Sequence, residues 1–187
     1  MFVPGGGLAN RMLALAAAHE LARRTGVKVE AMWFKGWGMG AAFSEVFLPI
    51  NTHLFTVKDG TLWDELRYDR PRRHNLWLPA LPQRLMFRRR IDEAQVADLR
   101  DAGFDFDTWA LGTSSCHLSS CCSFGTYPDD VYAALFRPVP AIVQNVNEYK
   151  KNTSGCFHES RRRAYSTHRP HGIHSLQPNE TLSQRRS

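Results

Sequence analysis

Cysteine is scarce in this chain: Cys116, Cys121, Cys122 and Cys156 are the four among 187 residues. The vicinal pair and its gap from Cys116 match no zinc-ligand spacing, so no metal site is expected. A disulfide framework requires an oxidising compartment, and the N-terminal residues lack the charged front end and apolar segment of a secretory signal. The apolar run Met12 to Ala18 follows a Pro/Gly turn and Arg11 instead. No stretch is apolar for long enough to span a bilayer, so no transmembrane segment is expected. These absences point to a cytoplasmic chain with reduced thiols. Without secretion the sequons at Asn152 and Asn179 carry no meaning. There is no internal repeat.

What is present is the composition of one globular domain, with 43% apolar and 22% charged residues. The formal net charge of +6 suits an anionic ligand, such as a nucleotide diphosphate, a nucleic acid or a membrane surface, without choosing among them. The arginines fall in short clusters, Arg72-Arg73, Arg88 to Arg90, Arg161 to Arg163 and Arg185-Arg186. None is interleaved with the aromatics of a single-strand binder, so each reads first as solvated surface and no nucleic-acid partner is expected.

Periodicity orders the front of the chain. Phe2-Val3 ends a short strand and Pro4 to Gly7 breaks it. Asn10 to Thr25 is a helix, with Met12, Leu15, Ala16, His19 and Ala22 on one face, Arg23 and Arg24 in its last turn, and Gly26 as its stop. Val27 to Phe34 alternates as a second strand. Strand, glycine turn, helix, strand is a βαβ unit, which implies a parallel sheet and an α/β, Rossmann-like fold. Further expectations are a short helix at Ala42 to Phe47, a strand at His53 to Val57 and an irregular excursion from Trp63 to Arg90. A helix at Asp92 to Ala102, a strand at Asp107 to Ser114, a loop or distorted strand at Ser114 to Ser123 and a helix from Pro140 to near Lys151 follow. From Asn152 only about seven apolar residues occur in roughly thirty-six, too few to offset ordering entropy. The expected division is therefore a Rossmann-like domain over 1–151 and a disordered tail over 152–187.

Chemistry concentrates at Pro4-Gly5-Gly6-Gly7-Leu8-Ala9-Asn10-Arg11-Met12. A glycine turn between a first strand and a first helix aims backbone N–H groups and a helix N-terminus at an anion, and glycine allows close approach and positive φ. Asn10 adds a hydrogen-bonding amide and Arg11 a charge. The pattern fails the dinucleotide fingerprint and no P-loop lysine follows. From these residues alone, a purely structural turn and a ligand-binding one both remain open. His19 reads as a packed core histidine, the tryptophans as core or rim aromatics, and Asp129-Asp130 as caps of a following turn. Asp105 and Asp107 could form a carboxylate pair.

The run Gly5 to Ala18 resembles the opening motif of the fucosyltransferase-like glycosyltransferases, which include bacterial α-1,2- and α-1,6-fucosyltransferases and protein O-fucosyltransferases. Ala41 to Phe47 resembles the segment after their second strand, and Leu135 to Ile142 the linker before their second half. The resemblance implies the N-terminal half of a GT-B-like enzyme that moves fucose from GDP-fucose to a glycan hydroxyl, without a bound metal or other cofactor. It places Gly5, Gly6, Gly7, Asn10 and Arg11 in the cleft, near donor phosphates and acceptor, and leaves the catalytic base unassigned. Family members then carry an apolar strand running into H-[IV]-R-R-x-D. Here the corresponding stretch reads Gly155-Cys156-Phe157-His158-Glu159-Ser160-Arg161-Arg162-Arg163, without the strand or the Asp. Three readings follow: an out-of-frame tail, a divergent native tail, or a degenerate second motif in His158 and Arg161. The chain is therefore expected to be truncated and inactive as an enzyme. The alternative is a non-catalytic module that binds an anionic glycan or nucleic acid through its glycine turn and basic surface.

Overall fold

The computed structural model describes residues 1–36, 39–69, 80–112 and 115–166, with side chains left out at 80–82 and 154–166. Its centre is a five-stranded sheet in which every pair is parallel. The strands are β1 (Phe2–Pro4), β2 (Val29–Trp33), β3 (Phe55–Asp59), β4 (Arg89–Ile91) and β5 (Cys116–Ser120), in the order β3-β2-β1-β5-β4. The expected α/β parallel sheet is thus present. Its helices are α1 (Leu8–Thr25), α2 (Phe43–Val46), α3 (Leu62–Tyr68), α4 (Ala80–Met86), α5 (Glu93–Asp101), α6 (Phe106–Leu111), α7 (Val131–Leu135) and α8 (Pro140–Ser166).

Alternation along the strands divides the core between two faces. Phe2, Val29, Ala31, Trp33 and Leu118 join α1 and its neighbours in the larger cluster, while Val3, Met32 and Phe34 form a smaller one with Tyr68 of α3. Helix α1 is buried along Ala14 to Ala18 and again at Leu21 and Ala22, a wider surface than one amphipathic face. The reason is that α6 and α7 flank it while the sheet lies beneath. A helix enclosed from several sides needs small apolar residues around most of its circumference. Gly26, at φ 69°, closes it in the left-handed conformation and donates its N–H to the carbonyl of Ala22. Arg23 and Arg24 do more than face the end of the helix dipole. Arg23 pairs with the buried Glu20 at 2.7 Å, and Arg24 grips Asp107 of α6 through Nε and Nη2 at 2.8 Å each.

Three expectations are corrected. The stretch from Asp107 is not a strand but part of α6. Asp105 accepts N–H bonds from Asp107 and Thr108 at 3.0 Å and thereby starts a helix whose Phe106 and Ala110 turn inward. The same capping role dissolves the supposed Asp105–Asp107 carboxylate pair. Between Trp63 and Arg90, α3, α4 and β4 stand where an irregular excursion is expected; residues 70–79 lie outside the described residues. Thr61 and Asp64 form a reciprocal cap that starts α3. Finally, α8 runs to Ser166, past the expected end near Lys151. Residues 167–187 lie outside the described residues.

The chain divides into compact units at Met1–Val143 and Gln144–Ser187. Within the first, Gly60 follows β3 with its N–H bonded to the carbonyl of Trp33 at 2.8 Å. A Cβ there would lie 2.1 Å from Cε1 of Phe34, a ring that is itself 2% exposed. Gly60→Ala must displace that ring from its packing with Val3 and Met32. The expected loss in urea unfolding is about 1–3 kcal/mol; an unchanged midpoint would show that the ring has room to move.

Candidate functional site

Strand β1 is the pivot of the sheet. The chain leaves it toward β2 and β3 on one side and later comes back on the other side, through β4, to β5. The exits of β1 and β5 therefore lie side by side at the C-terminal ends of the strands, and the helices that follow them, α1 and α7, contact each other. The glycine turn lies there. Gly5 donates its N–H to the carbonyl of Ser120, the last residue of β5, at 2.7 Å. The turn is thus stitched to the neighbouring exit loop.

Each glycine has a separate constraint. Gly6 has φ 77°, a left-handed conformation that strains other residues, and a Cβ on it would crowd Nδ2 of Asn10 at 3.0 Å. Gly7 is the N-cap of α1 and accepts the N–H of Arg11 at 3.0 Å, yet it has no side chain with which to cap the first turn. The opening amides of a helix have no carbonyl upstream within it. No acidic residue occupies this first turn, and Leu8, Ala9 and Asn10 are exposed. Asn10 makes no side-chain hydrogen bond among the described residues and is open to a ligand.

Arg11 behaves differently from the expectation that it lends charge to a ligand. It is 2% exposed. Its Nε donates to the carbonyl of Gly6 at 2.8 Å, Nη1 to Phe34 at 2.6 Å and Nη2 to Gly36 at 3.2 Å, while the guanidinium carbon lies 4.7 Å from the centroid of the Trp33 ring. The side chain joins the exit loop of β1 to that of β2. Trp33 extends the brace by donating Nε1–H to the carbonyl of Ala41 at 3.0 Å. Asp59, at the end of β3, accepts from the amides of Phe43 and Ser44 at 2.6 and 3.2 Å and holds the start of α2. The loops around the glycine turn are therefore fixed by side chains that point inward.

The exit of β5 is the neighbour of the glycine turn. Of the two expectations for its Ser/Cys-rich stretch, a loop or a distorted strand, the strand is present: β5 is an inner strand between β1 and β4, with Ser119 and Ser120 wholly buried. Ser120 Oγ donates to the carbonyl of Cys122 at 2.7 Å and accepts its N–H at 3.2 Å, turning the chain sharply. Cys121 and Cys122 are half-buried thiols on that turn. Strand position overrides weak propensity here because Ser119 is also paired, accepting the amide of Glu93 at 3.0 Å.

His19 packs edge-on against Phe55 with ring centroids 5.3 Å apart, and burial pushes its pKa down; it is a packing histidine away from the glycine turn. Trp33 is core and Trp109 is half-buried, whereas Trp63 is exposed; Trp37 and Trp77 lie outside the described residues. Asp130 takes the N-cap position of α7 without a side-chain cap bond. His158 and Arg161 fall on α8, and their side chains lie outside the described residues. Among the described residues no three His, Cys, Asp or Glu side chains converge as metal ligands, and no helix is long and apolar enough to cross a membrane. Comparison of the chain with family models, curated proteins and solved structures finds no match.

Proposed function

We propose that this domain forms one wall of a glycosyltransferase cleft, of the kind in which fucose passes from GDP-fucose to a glycan hydroxyl. The observation that carries the reading is the Gly5-Gly6-Gly7 turn at the exit of β1, bonded to the end of β5 and opening directly onto the uncapped N-terminus of α1 beside an exposed Asn10. Backbone amides in this position stabilise a phosphate or a sugar oxygen without a bound cation. The motif likeness supplies the donor class. Arg11 contributes by fixing the shape of the turn rather than by touching the ligand.

The second reading, a non-catalytic module for an anionic glycan, rests on the basic surface of the chain, whose formal net charge is +6. Affinity for the donor separates the two. Each neutral N–H bond is worth about 1 kcal/mol net, against at least roughly 4 kcal/mol of freedom lost on association. Titration calorimetry should therefore give a millimolar-range dissociation constant for GDP and GDP-fucose and no measurable fucose transfer by this chain. Asn10→Ala should weaken that binding about fivefold, the worth of one neutral hydrogen bond. Binding of a sulfated glycan with no competition from GDP would support the module instead.

A further inference from the structure

We propose that the outer surface of α3 and α4 docks on an anionic lipid bilayer. Helix α3 has no buried residue. Leu62, Trp63 and Leu66 are 78%, 72% and 41% exposed, and on α4 Leu85 and Met86 are 83% and 46% exposed. Leu62 and Leu66 are one turn apart, as are Trp63 and Arg67, so a single outward surface of α3 presents all four. The helix does not depend on packing these residues, because the Thr61–Asp64 cap sustains its first turn locally. The two helices contact each other on one side of the sheet, anchored beneath by side chains that do turn inward. Gln83 Nε2 donates to the carbonyl of Asp69 at 2.6 Å, and Phe87 packs on His117.

The charge around this apolar surface is the second observation. Arg67, Arg84 and Arg88 are exposed on the same two helices and at the approach to β4. By sequence, Leu62 to Arg90 holds eight arginines against three carboxylates, which accounts for most of the surplus positive charge of the chain. Leucine, methionine and tryptophan next to arginine match the boundary between acyl chains and anionic headgroups. A nucleic acid fits less well, because stacking needs successive aromatic faces, and the exposed apolar groups described are aliphatic apart from Trp63. A second copy fits less well too, since a two-fold contact sets the same arginines against one another.

Co-sedimentation of the full chain with vesicles tests the assignment. Vesicles of phosphatidylcholine containing phosphatidylglycerol should bind the chain, with affinity falling as salt rises, and vesicles of phosphatidylcholine alone should not. Leu62→Ser with Leu85→Ser, and separately Arg84→Gln with Arg88→Gln, should each weaken binding about tenfold or more, with circular dichroism unchanged. Absence of sedimentation, or binding retained in both variants and so carried by arginines elsewhere, overturns the proposal. Competition by a single-stranded oligonucleotide that is lost in Trp63→Ala would assign the surface to nucleic acid instead.

Discussion

Replacing Arg11 by methionine should lower the unfolding free energy by about 3–5 kcal/mol, a large fraction of the 5–15 kcal/mol typical of a domain. The apolar stem is kept, so packing against the core changes little. What goes is a buried charge that donates to the carbonyls of Gly6, Phe34 and Gly36 and stacks on Trp33. The loss exceeds the worth of the bonds themselves, because the carbonyls of Gly6 and Phe34 would be left next to a side chain that cannot bond them, while Gly36 keeps the N–H of Met39. Arg11→Lys should fall between, since an ammonium lacks the planar fork that reaches carbonyls on two loops at once. The check is urea denaturation of the three chains, with a midpoint lower by about 1 M or more for the methionine variant. An unchanged midpoint, together with lost GDP binding, would reverse the assignment and make Arg11 a ligand residue.

The second large effect is an acid instability centred on β5. His117 is wholly buried, its Nε2 bonds the carbonyl of Tyr68 at 2.8 Å, and its Nδ1 has no partner. Burial drives its pKa from the ordinary 6.5 to about 4. The hydrogen bond to Tyr68 works against that depression, as does Asp92, while the N-terminal ammonium and Arg90 add to it. The folded imidazole therefore stays neutral where the unfolded one takes a proton. Above pH 6.5 the effect is nil; as pH falls from 6.5 to about 4 the unfolded chain binds more protons and stability declines. The full loss is about 3 kcal/mol, since each pH unit between the two pKa values costs about 1.4 kcal/mol. His117→Gln keeps an N–H donor for Tyr68 and removes the titration. Its stability should vary between about pH 6.5 and pH 4.5 by about 2–3 kcal/mol less than that of the parent chain. His19, also lowered by burial, is common to both chains and so drops out of the difference. Parallel pH profiles for the two chains would remove His117 as the cause.

The site was partly legible in the residues. Glycine suits position 6, because φ is positive and Asn10 is close, and a Gly-rich turn before an alanine-rich helix announces both. The role of Arg11 was not legible, since nothing local distinguishes an arginine that reaches a ligand from one that folds back on two carbonyls more than twenty positions away. The neighbouring strand β5 was legible only as one of two alternatives. Ser119 and Ser120 have side chains that favour turns, and their burial in a strand depends on Pro4 beside Ser120 and Glu93 bonded to Ser119, both distant in sequence.

By itself the sequence determined the βαβ opening, the parallel sheet that follows from it and the glycine turn at its first exit. Those rest on short-range causes: alternation, the helical period, and the steric freedom of glycine. It also held the Asp105 cap that makes α6 a helix, though the alternation of Trp109 and Leu111 pointed the other way. Tertiary structure decided the strand order, which placed β5 beside β1 and so bonded the glycine turn to the end of β5. It likewise decided which charges face inward and which apolar residues remain outside, as Arg11 and Leu62 do against their usual preference. A pattern along the chain fixes the direction a side chain takes from its own backbone. What that side chain meets depends on partners brought together only when the sheet closes around β1.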